Sequence, residues 1–397
     1  MGVAMAGSAD AAPGTVAAGS GGPRPALSLA AIGAGTAAAH IGNNFTTFLV
    51  GGLIDAYGFT AGAMGLFAML ETLAYGAAML GVARWGSRLA PRWLALGSTV
   101  LVVAAQALSG LGGVLPLLLA GRLATGFGFG VMNGAVNLAA GRTAHPARAI
   151  SVGIACQTVL FALVNIVLPQ VAARHGLMAM FGALAGLSLL LGLGTLALPA
   201  TALPKLAGAR AQRPISPAGW RLLLAMGLFA GGSLSIWPFM ERAAHAIGLP
   251  ATTFGWFQSL ATITSALGNA ALAVVITRLP RRALLGGGLI ACALSCALLT
   301  TAGIAWVFAV ALVVFNASWF IAYPMLLGLA YDQEPDGRLA VMMTATWLLA
   351  QSVGALGAGL MADATGSFAG VGLVGFAGCA LALGLAMPLA RARPHCP

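Results

Sequence analysis

Runs of twenty or more uncharged, mostly apolar residues recur along the whole chain, and nothing constrains its fold more. Wound into a helix at about 1.5 Å per residue, such a run matches the ~30 Å hydrocarbon core of a bilayer. Barrel strands are roughly half as long and alternate polar with apolar side chains, a pattern these runs lack. Charged residues make up only 7% of the chain and hydrophobic ones 60%, whereas a soluble domain carries roughly 25% charged residues. Too little charge is present to cover this surface in water. In lipid the backbone must satisfy its hydrogen bonds internally, which leaves helices. The 56 glycines would each cost a soluble helix about 1 kcal/mol relative to alanine, but between membrane helices they permit close approach.

The pattern predicts spans over 28–50, 62–83, 93–112, 115–139, 149–172, 177–199, 219–241, 252–276, 283–303, 305–330, 339–362 and 369–390. The expectation is an all-α membrane protein with twelve transmembrane helices in two pseudo-symmetric six-helix bundles. The bundles would be 28–199 and 219–390, joined by a cytoplasmic linker, 200–218, and flanked by a disordered tail, 1–27, and a short one, 391–397. The linker holds Lys205, Arg210, Arg213 and three prolines. Sliding the chain by 190 positions lays 58–65 on 248–255, Arg88 on Arg278 and Arg92 on Arg282, an internal repeat of a kind that transporters carry.

Basic residues cluster in alternate loops, including Arg84, Arg88, Arg92, Arg142, Arg148, Arg278, Arg281, Arg282 and Arg338, while the opposite side keeps Arg174 and Arg242. That asymmetry predicts both termini in the cytoplasm and a multi-pass protein of the inner membrane. It also explains the net charge of +11 without a nucleic-acid partner. The start of the chain has no basic segment ahead of an apolar core, so no cleaved signal peptide is expected. Four tryptophans, Trp85, Trp93, Trp220 and Trp306, fall at span ends, where indole rings favour the interface. The five cysteines show no metal-ligand pair and read as small buried hydrophobes, so no cofactor and no metal are expected.

Polarity is uneven between spans. Spans 3, 6, 9 and 12 hold little beyond Ser, Thr and Cys, apart from Gln106. The other eight each carry a polar face: His40, Asn43, Asn44 and Thr47 on span 1, Arg122, Asn133 and Asn137 on span 4, and Gln157 and Asn165 on span 5. Span 7 adds Trp237 and Glu241, span 8 Gln258, span 10 Asn316, Trp319 and Tyr323, and span 11 Trp347 and Gln351. Polar faces are costly in hydrocarbon unless they meet one another or water. Helix-to-helix glue accounts for any single amide, but not for the avoidance of every third span. The pattern predicts a shared polar cavity.

The layout resembles the major facilitator superfamily. Arg122-Leu-Ala-Thr-Gly126-Phe-Gly128-Phe-Gly130 is similar to that family's fourth-helix motif, R-x-x-x-G-x-G-x-G. The loop Gly81-Val-Ala-Arg-Trp-Gly86-Ser-Arg88 resembles its G-x-L-A-D-R-x-G-R signature, with Arg84 and Trp85 where the family has Ala and Asp. Span 5 lacks the G-x-x-x-G-P of drug/proton antiporters. The resemblance covers about 28–390 and implies helices 1, 4, 7 and 10 around the cavity, with 3, 6, 9 and 12 outside.

Two charges lie deep in spans, Glu71 in span 2 and Arg122 in span 4, at similar depth from the outer ends. Buried charges need partners, so the two are expected to pair, with His40 of span 1 at comparable depth. Glu71 would load and release a proton, Arg122 would tune it, and His40 would relay it or touch the solute; a static ion pair is the competing reading. No protease, hydrolase or intramembrane aspartate motif is present, so an enzyme is not expected. The leading expectation is a monomeric, proton-coupled carrier of a small organic solute, slightly favouring a carboxylate. Efflux of hydrophobic compounds and a non-transporting sensor stand as alternatives.

Overall fold

The computed structural model describes residues 25–85, 88–143, 146–202, 214–275, 278–334 and 338–390, without the side chains of 25, 146–148, 150 and 269–275. Most of both expected tails, and Lys205, Arg210 and Arg213 of the linker, lie outside the described residues. The described elements are all helical: α1 (Pro25–Tyr57), α2 (Ala61–Trp85), α3 (Pro91–Ser109), α4 (Leu115–Ala140), α5 (Pro146–Gly194), α6 (Pro217–Ser233), α7 (Met240–Ala246), α8 (Ala251–Val275), α9 (Arg281–Thr301), α10 (Ala305–Gln333), α11 (Arg338–Thr365) and α12 (Ala369–Ala386). Among the described residues, nine helical stretches are long and apolar enough to cross a membrane.

Two elements depart from the predicted spans. α5 runs for 49 residues but is two helices meeting at Gly176, whose φ of 81° and ψ of 179° suit only glycine. The break falls between the predicted fifth and sixth spans. The predicted seventh span, drawn as one helix, is instead α6, a 3-10 turn at Trp237–Phe239, and α7. Pro238 accounts for the break, because it lacks an N–H and its ring would strike the carbonyl four residues earlier. The predicted straight helix ran through that proline.

Glycines on α4 set its distance from α2. A Cβ at Gly126 would stand 2.2 Å from the Glu71 carbonyl oxygen, and one at Gly130 would stand 2.3 Å from that of Tyr75. α2 therefore lies backbone-to-backbone along α4, and Glu71 is carried to the level of Arg122.

The 190-residue repeat is visible in the backbone. Four glycines have positive φ, Gly58, Gly176, Gly248 and Gly366, and they form two pairs 190 positions apart. Gly65 of α2 abuts the Ala355 carbonyl of α11, and Gly255 of α8 abuts the Asn165 carbonyl of α5; both members of each contact are again shifted by 190. Arg92 donates from Nε to the Leu198 carbonyl at 3.1 Å, and Arg282 does the same to Ala390 at 3.0 Å. α2 packs on α11 and α5 on α8, so these two crossings join the first part of the chain to the second.

Candidate functional site

Arg122 and Glu71 form an ion pair with both side chains buried. The Thr46 hydroxyl on α1 completes the group, lying 3.1 Å from Glu71 Oε2 and 2.7 Å from its own helix's Gly42 carbonyl, and accepting from Arg122. Gly42 is required there, since a Cβ would stand 1.6 Å from Glu71 Oε1. The guanidinium also lies over the Phe67 ring, 4.6 Å from its centre. One Glu71 oxygen and Arg122 Nε have no partner among the described residues. The group is net neutral and incompletely bonded.

His40 lies one to two turns earlier on α1 and is rotated away from Gly42 and Thr46, so it does not join the pair among the described residues. Its Nδ1 lies 2.8 Å from the Thr36 carbonyl, and its ring faces Tyr75 at 6.4 Å. Tyr75 sits one turn beyond Glu71 and accepts a hydrogen bond from Asn133 Nδ2 at 2.6 Å. Asn133 also reaches Met79. Glu71, Tyr75, His40 and Asn133 thus line one continuous strip between α1, α2 and α4.

A second group lies on α6, α10 and α11. Trp319 stacks between Phe229 and Tyr323, at 5.5 and 5.0 Å, and Trp347 leans on Trp319 and Tyr323. Tyr323 Oη is 3.4 Å from the Thr344 hydroxyl. The indole nitrogens of Trp319 and Trp347 have no acceptor among the described residues.

A seam joins the two groups. Trp237 Nε1 donates to the Asn43 carbonyl at 2.7 Å, and Gln351 Nε2 donates to Asn43 Oδ1 at 2.9 Å. The Glu241 amide donates to Thr47 Oγ1 at 2.9 Å. Arg242 holds Glu241 and grips both Asp55 oxygens, at 2.6 and 2.9 Å. Asp363 of α11 accepts from the first two amides of α2, at 2.8 and 2.7 Å. The bonds of Glu241, Arg242 and Asp363 lie toward the end of the molecule where α1 meets α2, while Asn43 and Gln351 meet midway along α1 and α11.

The remaining predicted site residues are placed separately. Asn44 and Asn316 donate to carbonyls one turn back on their own helices, His40 and Leu312. Asn165 donates to Thr262 Oγ1 at 3.3 Å across α5 and α8. Gln157 and Gln258 each keep a buried oxygen with no partner among the described residues, and Asn137 is exposed. Sequence reading missed Thr46, Tyr75, Asp55 and Asp363. A fourfold spacing from Gly42 and Glu71 marks the first two, but the two aspartates meet partners 187 and about 300 residues away.

The cysteines were expected only as packing groups. Cys292 and Cys296 of α9 and Cys379 of α12 place their sulfurs within 4.8 Å of one another, all fully buried. That spacing would suit a soft ion, whose thiolates sit roughly 4 Å apart when each bond is about 2.3 Å. No carboxylate or imidazole joins them among the described residues.

By sequence, no family model matches the chain, and no curated protein resembles it significantly. Solved structures do. The nucleoside transporter NupG superposes with a TM-score of 0.72 at 14% identity, covering 92% of this chain and 100% of that one. A bacterial homolog of the human lysosomal transporter Spinster, inward-facing and occupied, gives 0.72 at 13% identity over 93% and 94%. Its unoccupied form gives 0.63 at 14% identity. At these identities the likeness shows the fold alone: the chain is folded as these solved transporters are.

Proposed function

We propose that the protein is a proton-coupled secondary transporter of a small organic solute. In this reading it has twelve crossings in two six-helix bundles, works as a monomer in the inner membrane, and keeps both termini in the cytoplasm. The observation that carries the proposal is the position of Thr46. It touches the Glu71–Arg122 pair, while Asn43 and Thr47, on either side of it in α1, bond to Trp237, Gln351 and Glu241 of the other half. Protonation of Glu71 would remove the charge that Thr46 and Arg122 share, and α1 would pass that change directly to the seam. A purely static pair would have no reason to sit one residue from the contacts that must break.

Arg122 is 3% exposed and committed to Glu71. A solute carboxylate would be balanced by Arg122 only once Glu71 carries a proton, so an anion and a proton would travel together with no net charge left in the cavity. The aromatic cluster would hold the solute's apolar part. It equally favours a second reading, in which the solute is an uncharged ring compound, as the name of NupG suggests for that protein, or a hydrophobic compound moved outward.

The sealed seam lies on the predicted outer side, so the described conformation is read as inward-facing. Proteoliposomes containing Glu71→Gln should lose pH-gradient-driven accumulation of labelled acids or nucleosides but keep solute exchange. Accumulation that retains its full pH dependence would refute the coupling role.

A further inference from the structure

A groove of about 480 Å³ runs down the outer face of α2, α3 and α4, apart from the polar strip and the seam. Its length is set by Ala77 to Trp85 on one wall and Trp93 to Leu101 on the other, about 12 Å at 1.5 Å per residue. Small residues hollow it out: Gly81, Gly97 and Ala77. Ser98 is the one hydroxyl in the lining, and it bonds its own helix at Ala95. Apart from the indoles of Trp85 and Trp93 at its end, the lining is almost entirely apolar, which suits hydrocarbon.

The end of the groove has the opposite character. Trp85 and Trp93 are 56% and 64% exposed, as indoles at a bilayer interface are. Beside them stand Arg84, whose guanidinium lies 5.8 Å from the Trp85 ring centre, and exposed Arg88. Arg92 follows, partly occupied by the Leu198 carbonyl. Between residues 28 and 199 the chain has only two carboxylates, Asp55 and Glu71, and these are taken by Arg242 and Arg122. The arginines of this rim therefore have no acid of their own half to answer them.

We infer that the groove is a binding site for an anionic phospholipid, with one acyl chain along Gly81 and Gly97 and the phosphate on Arg84 and Arg88. Basic pockets between helices at the cytoplasmic surface select acidic headgroups, at roughly 1 kcal/mol per arginine, or about fivefold in affinity. The site is independent of the transported solute and does not rest on the coupling proposal.

The test uses the full chain in nanodiscs doped with lipids brominated in the acyl chains, which quench nearby tryptophan. Subtracting a Trp93→Phe variant isolates the Trp93 signal. Brominated phosphatidylglycerol should quench Trp93 severalfold more effectively than brominated phosphatidylcholine. Arg84→Ala/Arg88→Ala should flatten that preference. Gly97→Phe should likewise flatten the preference, and a side chain there meets no protein atom within 4 Å of its Cβ, so the fold should tolerate it. Equal quenching by both lipids overturns the headgroup site, and a preference unchanged by Gly97→Phe overturns the groove.

Discussion

The two halves of this chain share a skeleton and differ in what they bury. Shifting by 190 positions superimposes their positive-φ glycines, their crossing contacts and the arginines that tie off their last helices. The same shift carries Glu71 to Ala261, Arg122 to Leu312, Thr46 to Ile236 and His40 to Ala230, all of them fully buried and apolar. It carries Asn133 to Tyr323 and Gln157 to Trp347. One half has placed ionic groups where the other has hydrocarbon, and the second has placed aromatic rings where the first has amides. The backbone repeat therefore sets where helices cross, while the chemistry is distributed unequally between the copies.

The largest expected effect comes from breaking the ionic side of that contrast. Glu71→Ala leaves the Arg122 guanidinium buried without a counter-charge, and the loss should be about 3–5 kcal/mol in stability. Copying the second half outright, with Glu71→Ala and Arg122→Leu together, should recover most of it, because a buried pair contributes little more than a well-packed apolar replacement. Thermal melting of the detergent-solubilised full chain measures both. If the double variant melts as low as the single one, the pair is tied to its neighbours by more than charge. The double variant should also transport without any response to a pH gradient.

Next in size is the seam. Glu241 is 2% exposed, and Arg242 is its only ionic partner among the described residues. Arg242→Ala should weaken closure at this end. With spin labels at the exposed positions Ala56 and Ala246, a longer separation should become about tenfold more populated, or roughly 1.4 kcal/mol. An unchanged distance distribution would mean that Asp363 and the Gly65–Ala355 contact close this end without it. A smaller effect belongs to the aromatic cluster. Trp347→Phe keeps an aromatic ring but removes an N–H that has no acceptor among the described residues, so it should raise KM about fivefold, near 1 kcal/mol, and leave the pH profile alone. A changed pH profile would erase the division of labour between the halves.

The sequence made the long apolar runs and the Glu71–Arg122 pairing legible because both follow from the cost of polar groups in lipid, which acts locally along each helix, and it showed the repeat through glycines and arginines recurring 190 positions apart. What it did not show depends on approach between distant helices. Asp55 sits near a helix end, looking like an exposed loop acid, until Arg242 meets it 187 residues later. Of the three clustered cysteines, Cys292 and Cys296 are one turn apart on α9, but Cys379 of α12 meets them only where the two helices pack. His40 shares depth with Glu71 but is turned toward Tyr75 and Thr36, a rotation that a depth count along a helix does not contain. Pro238 is a different case, because the break was written in the sequence and hydropathy alone hid it.

The smallest predicted effect tests the skeleton rather than the chemistry. Gly58, Gly176, Gly248 and Gly366 all have positive φ, and a Cβ added at any of them meets nothing within 4 Å. Alanine at these positions would be penalised only by backbone conformation, about 1 kcal/mol each. Gly97 and Gly357 are equally open but lie within helices, where alanine should be neutral or stabilising by up to about 1 kcal/mol. If the repeat dictates these turns, Gly58→Ala and Gly248→Ala should lower the melting temperature alike, as should Gly176→Ala and Gly366→Ala, while the two helical controls should not. A pair that splits, with one member destabilised and the other untouched, would show that the halves have diverged in their turns as well as in their cores.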